Sequence, residues 1–197
     1  MTAQMFDIVI FEGENYKLAK ATNELPFSIE TFNIEPVWTS TSCWRGFLRT
    51  FIIKEKRLFI GQLDVNDKKL TNIGISEYQP NSIYGNYPQI NYPPDAETLF
   101  EMTYKELNHE IDFTGSMIIG KALYLDLLSH IDDVKWKDKE IYELTFKNGI
   151  LVSSKDIANS LNEIGSLMKK LSLKRSSQEF SQLLTSTSLG KYYDTTT

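Results

Sequence analysis

Two histidines of this chain stand beside carboxylates, a combination that can hold a metal ion or carry acid–base chemistry. The two segments read His109-Glu110-Ile111-Asp112 and His130-Ile131-Asp132-Asp133. Two imidazoles and two carboxylates complete a four-ligand site if these segments meet in the fold. No pair of histidines lies one helical turn apart, and solvated His, Glu and Asp are common in loops and at helix ends, so we favour solvated side chains. The candidate ligands are His109, Asp112, His130 and Asp133.

The single cysteine, Cys43, is the other side chain with intrinsic reactivity. Its neighbours Ser42 and Trp44 match no catalytic-cysteine signature, and a lone cysteine at a strand start is more often a small buried hydrophobe. Neither a G-x-S-x-G nucleophile elbow nor a glycine-rich phosphate-binding loop occurs in the chain. We therefore expect no cofactor and favour a protein that is not an enzyme. The alternative is a small hydrolase or ligand-binding enzyme with scattered carboxylates and a histidine.

Aromatic residues supply the candidates for binding. Residues 78–94 contain four tyrosines and four prolines, without a usable period. Tyrosine rings offer large contact areas at low entropic cost, but they also cap a sheet while their hydroxyls reach water, and we favour that second role. An arginine after a tryptophan can clamp a carboxylate or phosphate. It can also pair with a cross-strand acid or stack on the tryptophan, and we favour these structural roles. The binding candidates are Trp44, Arg45, Tyr84, Tyr87 and Tyr92.

Composition narrows the class of partner. The chain has 197 residues, a net charge of −5 and 41% hydrophobic residues, as expected of a protein that builds its own core. An acidic chain is a poor ligand for nucleic acid, whose affinity comes from clustered Lys and Arg, so we expect a protein partner, with a basic protein as the natural complement. No segment approaches the ~20 consecutive apolar residues that cross a bilayer. Together with the single cysteine and the lack of a signal peptide, this predicts a cytoplasmic protein without a membrane partner.

Two hairpins have the clearest turn signals. Residues 43–65 contain two apolar runs around the charged turn 54–57, and large apolar side chains on both faces predict a first strand that is covered on both sides. Asn148-Gly149 supplies the two positive-φ residues of a type I′ turn after an alternating strand at 140–147. Further strands are predicted at 6–11, 16–18, 113–119 and 122–128, with a polar connector at 129–139.

Helical spacing predicts three helices. The first runs from Asp95 to about His109. A long amphipathic helix follows Ser153, whose spacing from Asp156 is that of a capping box, and a short helix follows Ser176. The apolar positions on which these helices rest are Leu99, Phe100, Tyr104 and Leu107 for the first, Ile157, Leu161, Ile164, Met168 and Leu171 for the second, and Phe180, Leu183 and Leu184 for the third.

These elements predict an α+β fold, in which hairpins and a meander form an antiparallel β-sheet and the one long amphipathic C-terminal helix packs on one face. Parallel crossovers are not expected, because turn signals join neighbouring strands without an intervening helix. We assign residues 1–184 to a single domain and residues 185–197 to a polar, disordered tail.

Two blocks of the chain resemble a family of uncharacterised bacterial proteins of about this length. The first is the W-R-G-F hairpin at Trp44 to Phe47, and the second is the run L-T-F-K-N-G-I-L-V from Leu144 to Val152. The resemblance implies a bacterial source and a shared fold, and it brings no activity. The chain departs from the family pattern at 129–137, where the family has a shorter, glycine-rich turn.

For function, these observations favour a non-enzymatic binding or protein-interaction module of an immunity- or regulator-like kind. The hypothesis rests on the acidity of the chain, the composition of its loops and the absence of catalytic motifs from its sequence.

Overall fold

The computed structural model describes residues 4–92, 99–121, 139–174, 177–187 and 189–192, and this part of the chain is mostly β-structure. The strands are β1 (Ile8–Phe11), β2 (Glu14–Ala21), β3 (Phe47–Lys54), β4 (Arg57–Val65), β5 (Gln89–Ile90), β6 (Met102–Tyr104), β7 (His109–Glu110), β8 (Gly115–Gly120), β9 (Ile141–Lys147) and β10 (Ile150–Asp156). The helices are α1 (Lys68–Ile73), α2 (Ala158–Leu171) and α3 (Gln178–Thr185), with 3₁₀ turns at Glu30–Phe32 and Gly190–Tyr192.

The strands form a closed barrel rather than an open sheet. Their hydrogen-bonded order is β10-β9-β8-β2-β1-β3-β4-β6-β5, and β7 also pairs with β4. Because β10 returns to pair with β4 through Ile150 and Arg57, the seven strands from β10 to β4 close on themselves. The predicted α+β sheet with one long packed helix is therefore wrong: three short helices accompany a barrel. Closure of the barrel depends on pairing between strands that are far apart in sequence. Turn motifs indicate only which consecutive strands pair, so they did not predict it.

One neighbouring pair of strands is parallel, contrary to prediction. Ile8 of β1 lies opposite Thr50 of β3, and Ile10 lies opposite Ile52. The connection runs through β2 and residues 22–46, which contain a 3₁₀ turn but no α-helix. The expectation of a purely antiparallel sheet rested on the absence of a crossover helix, and this connection does without one.

The predicted hairpins are confirmed. The turns at Glu12-Gly13, Glu55-Lys56 and Asn148-Gly149 all have positive φ, as type I′ turns require. In β3, Phe51 is buried, whereas Leu48 and Ile52 are half-buried. The predicted burial of β3 on both faces is therefore only partly met.

The helix predicted from Asp95 to His109 is wrong where the structure describes it. Residues 102–104 form β6 and residues 109–110 form β7, both paired with β4. Consecutive residues from Phe100 to Tyr104 are buried, because β6 lies between β4 and β5. A strand that is buried on both faces shows no alternation of apolar and polar residues. The apolar residues of this segment therefore matched the spacing expected of a helix.

Contacts divide the chain into two compact units. The first comprises Met1–Asn15, Leu25–Phe113 and Asn148–Ile150, and the second comprises Tyr16–Glu24, Thr114–Lys147 and Leu151–Thr197. The largest fully buried side chains of the first unit include Phe51, Leu63, Tyr104 and Phe113.

In the second unit, α2 and α3 share one apolar cluster with two strands. Its buried members are Ile118, Ile141, Ile157, Leu161, Ile164, Met168, Phe180, Leu184, Leu189 and Tyr192. The caps differ from prediction: Ser153 lies within β10, and the α2 amide of Ala158 donates to Asp156. Helix α3 begins one residue later than expected, with Ser177 accepting from the Phe180 amide.

Several predictions fall partly or wholly outside the described residues. The strand at 122–128 does so entirely, and of the connector at 129–139 the structure describes only residue 139. Within the segment assigned to a tail, Leu189 and Tyr192 are buried.

The turn at Gly149 provides the first testable prediction. Its φ is +73°, and a Cβ placed there would lie 2.6 Å from the Ile111 carbonyl oxygen. Gly13 has a similar φ of +82°, and a Cβ there would meet nothing within 4 Å. Gly13→Ala should cost about 1–2 kcal/mol for its backbone conformation alone, and Gly149→Ala should cost clearly more in chemical denaturation. Equal losses in the two variants would show that the Gly149 turn is not packed against Ile111.

Candidate functional site

Two tryptophans project into solvent from neighbouring segments of the first unit. The exposed fraction is 65% for Trp44 and 62% for Trp38. The backbones of Val37 and Gly46 are in direct contact, because a Cβ on Gly46 would overlap the Val37 carbonyl group. With the adjacent Arg45, whose side chain is 40% exposed, they define a surface that we call the Trp corner: Trp38, Trp44 and Arg45.

The turn that carries Trp44 is fixed by hydrogen bonds on both sides. Gln4 donates through Nε2 to the Thr41 carbonyl oxygen at 2.8 Å, and its Oε1 accepts from the Trp44 amide at 3.1 Å. Inside the turn, the Cys43 amide donates to the Ser40 carbonyl oxygen at 3.1 Å. The exposed indole of Trp44 therefore projects from an ordered backbone.

Asn66 joins the two segments of the Trp corner. Its carbonyl oxygen accepts from the Val37 amide at 3.0 Å, and its amide donates to the Gly46 carbonyl oxygen at 2.9 Å. Its side chain donates to Thr39 Oγ1 at 2.8 Å. Both tryptophan-bearing segments are thus bonded to the same residue at the end of β4.

One buried carboxylate lies beneath the Trp corner. Asp7 is 4% exposed and accepts from Arg45 Nη1 and Nη2 at 3.1 and 3.0 Å. Arg49 donates to it three times, through Nε at 3.1 Å, through Nη2 at 2.8 Å and through its backbone amide at 3.0 Å. Both guanidinium groups also lie over the ring of Phe47. Arg45 therefore pairs with an acid, as one of its two predicted structural roles requires, although Asp7 lies just before β1 and Arg45 just before β3.

The electrostatic balance at Asp7 favours its ionised form. Burial by itself would raise the pKa of Asp7, but the charges of Arg49 and Arg45 and the hydrogen bonds from both outweigh it and lower the pKa below 3.8. Two cations around one anion leave a local charge of +1 beside the tryptophans.

A second polar cluster contains two buried acids, Asp67 and Glu101. Asp67 Oδ2 accepts from the Tyr78 hydroxyl at 2.6 Å, and Asp67 Oδ1 accepts from the Lys69 amide at 3.0 Å, which caps α1. Glu101 Oε2 accepts from the Asp67 amide at 3.2 Å. These acids have their contacts within the protein core, which suits a structural network better than a site for substrate.

The Thr71 hydroxyl lies between two acceptor oxygens of this cluster. Thr71 Oγ1 lies 3.1 Å from the Asp67 carbonyl oxygen and 2.9 Å from Glu101 Oε1, and a hydroxyl has only one hydrogen to donate. The two oxygens therefore compete for that hydrogen. Burial raises the pKa of Glu101, as does the nearby Asp67, although the bonds from Thr71 and the Asp67 amide act in the opposite direction.

A serine and a lysine meet in the second unit with the spacing of a catalytic dyad. Lys191 Nζ lies 2.9 Å from Ser116 Oγ. The same Nζ lies 3.1 Å from Glu143 Oε1, so the lysine is engaged in an ion pair rather than presented to the serine alone. The Ser116 amide is already bonded to Thr22 Oγ1. The arrangement fits an anchor for residues 189–192 better than a nucleophile and base.

The tyrosines predicted as binding candidates have different environments. Tyr84 stacks on His109 with ring centroids 3.6 Å apart and meets Phe32 edge-on, so its 43% exposed ring is partly a packing element. Tyr87 is 71% exposed, and Tyr92 is half-buried. Tyr78 of the same loop is buried against Asp67, as a capping ring would be.

The predicted metal ligands do not come together among the described residues. His109 lies exposed in β7 against Tyr84, and Asp112 is exposed two residues after that strand. His130 and Asp133 lie outside the described residues. Within the part of the chain that the structure describes, no group of three or more His, Cys, Asp or Glu side chains could hold a metal ion. Cys43 is buried, and its thiol donates to the Phe47 carbonyl oxygen.

Comparison of the chain with protein-family models, with curated proteins and with solved structures gives no match. The resemblance to an uncharacterised bacterial family therefore stays a prediction. Over the described ranges, none of the helices combines the length and apolar character needed to cross a membrane. The candidate site must be judged by its own geometry, and the Trp corner is the described surface on which exposed aromatics and a charged donor meet.

The Asp7 cluster predicts a loss of stability in acid. Because the folded pKa of Asp7 lies below its ordinary value, its contribution is present above pH 3.8 and is lost as pH falls through the folded pKa. Asp7→Asn should lower the free energy of unfolding at pH 7 by about 2–3 kcal/mol, since two arginines lose their partner, and should flatten the acid limb of a denaturation series. Glu110→Gln, which removes the exposed pair with Arg57, is the matched control and should cost less than about 1 kcal/mol. Equal effects would refute the role of Asp7.

Glu101 predicts the opposite dependence on pH. Because its folded pKa is raised, its contribution is present below its ordinary value of 4.5 and is lost as pH rises through the folded pKa. Glu101→Gln, which has nearly the same shape but cannot ionise, should remove this decline in a series of urea unfolding curves. The exposed Glu35, which pairs with Lys68, supplies the control variant Glu35→Gln. A decline that persists in Glu101→Gln would mean that another group causes it.

Proposed function

We propose that this protein is a non-enzymatic protein-binding module and that the Trp corner is its contact surface. The observation that carries the proposal is the exposure of Trp44 on a turn whose backbone is fixed by Gln4 and by the Arg45–Asp7 pair. Single exposed apolar residues are common on proteins. Two exposed indoles on adjoining, ordered segments beside an exposed arginine are the composition of an interaction hot spot.

The energy available from such a surface is sufficient for recognition. A buried aromatic side chain covers about 150–250 Å², and about two thirds of that area is still free on each tryptophan. At about 25 cal/mol per Å², covering it is worth about 2–4 kcal/mol per indole before the costs of association. Because the turn is already ordered, a partner loses little free energy in fixing it.

The enzymatic alternative has less support. The paired acids Asp67 and Glu101 are buried and engaged, and Lys191 is in an ion pair with Glu143. An immunity- or regulator-like role in the bacterial cytoplasm is the form of the binding function that we propose. The net charge of −5 favours a basic protein during long-range encounter.

The test of this function is capture from a native lysate with three variants in parallel. In the Trp38→Ala/Trp44→Ala variant, the captured amount of any protein that the wild type retains should fall at least tenfold, as measured by quantitative mass spectrometry. This is expected because hot-spot truncations cost 2 kcal/mol or more. Its melting temperature should change little, since about two thirds of each tryptophan is exposed. Tyr87→Ala, at the most exposed tyrosine of the loop, is the matched control.

Two outcomes would contradict the proposal. If the double tryptophan variant retains every protein that the wild type retains, the Trp corner is not a contact surface. If Tyr87→Ala alone loses the captured protein, binding belongs to the tyrosine-rich loop instead.

A further inference from the structure

We infer that the Trp corner recognises a carboxylate on its partner, in a segment where an Asp or Glu side chain stands next to an apolar residue. This inference rests on the proposed function and names the chemistry of the contact. Three observations support it: the open donors of Arg45, the net positive charge of the Asp7 ion cluster, and the exposed indole of the residue that precedes Arg45 in sequence.

Arg45 has hydrogen-bond capacity left over after it pairs with Asp7. A guanidinium carries five N–H donors, and Arg45 uses one on Nη1 and one on Nη2 for Asp7. Among the described residues it makes no other hydrogen bond, so Nε–H and the second hydrogen of each Nη have no acceptor in that part of the chain. The side chain is 40% exposed, which leaves this edge open to a ligand.

The guanidinium of Arg45 is held in place before any partner arrives. Asp7 binds it through two parallel hydrogen bonds, and Phe47 packs against its face with the ring centroid 5.0 Å from Cζ. A flexible arginine would lose rotamer entropy on binding, whereas this one has already lost it in folding. A planar, fixed fork with open donors matches the geometry of a carboxylate.

The local charge favours an anion even though the whole chain is acidic. Around Asp7 two guanidinium groups face one carboxylate, so this ion cluster, to which Arg45 belongs, has a net charge of +1. At physiological ionic strength the Debye length is about 8 Å, so charges farther away act weakly on a group in contact with Arg45. The net charge of −5 therefore governs encounter, while the contact itself is set by the neighbouring arginines.

Trp44 determines what should accompany the carboxylate. It precedes Arg45 in sequence, and its indole is 65% exposed. An apolar side chain next to the acidic residue of the partner would cover this indole and exclude water from the ion pair, which strengthens it.

The experiment is selection from a phage-displayed library of random linear peptides. The wild-type protein is the bait, and a second selection uses Trp38→Ala/Trp44→Ala as counter-bait. Peptides that depend on the Trp corner should be enriched in Asp or Glu next to apolar residues. Synthetic versions should bind the wild type at least tenfold more tightly than copies in which Gln or Asn replaces the acidic residue.

Substitution of Arg45 by lysine distinguishes the effect of its charge from the effect of its planar guanidinium geometry. Arg45→Lys keeps the charge but loses the fork, and it should weaken binding of the selected acidic peptide at least fivefold with little change in melting temperature. Arg57→Lys, at another exposed arginine that pairs with an acid, Glu110, is the matched control and should bind as the wild type does. A nitrogen-15 NMR titration of the wild type should shift the Nε signal of Arg45.

Each of the other possible results would contradict the carboxylate inference, the proposed function or both. Corner-dependent peptides rich in Lys or Arg, or without charge, would overturn the carboxylate inference and leave the proposed function standing. Peptides that bind the wild type and the double tryptophan variant equally, or no enrichment at all, would contradict both. An Arg45→Lys variant that binds the acidic peptide as tightly as the wild type would also refute the role of the Arg45 fork.

Discussion

A single buried carboxylate, Asp7, connects the N-terminal strand to the turn on which the candidate surface depends. It receives five hydrogen bonds from Arg45 and Arg49, and the removal of either arginine would leave buried charge without its balance. The parallel pairing of β1 with β3 begins at the next residue, Ile8. The same interaction therefore helps to fix a strand register of the barrel and the turn that carries the exposed Trp44, so the stability of the fold and the proposed contact surface depend on one ion cluster.

Local features of the fold could be predicted from the sequence, and its closure could not. The hairpin turns were predictable because residues such as Asn148-Gly149 adopt positive φ at low cost, a property of two adjacent residues. The pairing of β10 with β4 joins residues almost a hundred positions apart, and no short motif specifies it. The helix expected at 95–109 failed for a related reason. The buried strand β6 has apolar residues on both faces because of its neighbours in the sheet, and those neighbours were not known.

Two of the three residues of the Trp corner, Trp44 and Arg45, could be predicted as binding candidates from the sequence. Trp44 and Arg45 stood out by residue type, and a cross-strand acid for Arg45 was foreseen without being identified. The signal that could have identified it is Asp7 itself, a lone acid at the start of an apolar strand, together with a second arginine four residues after Arg45. Trp38 gave no such signal, because its role depends on the backbone contact between Val37 and Gly46. No sequence motif indicated the Glu101 cluster either, because its members are distant in sequence.

Amide hydrogen exchange at Arg49 and Gly46 tests the central claim most directly. The Arg49 amide donates to the Asp7 carboxylate, and the Gly46 amide closes the turn by donating to the Cys43 carbonyl oxygen. If Asp7 anchors the turn, both amides should exchange as slowly as those of β3 in the free wild-type protein, and both should exchange faster in Asp7→Asn while amides of β8 and β9 keep their rates. Fast exchange at both amides in the wild type, or unchanged rates in the variant, would show that the turn is not held by Asp7 and would contradict the account.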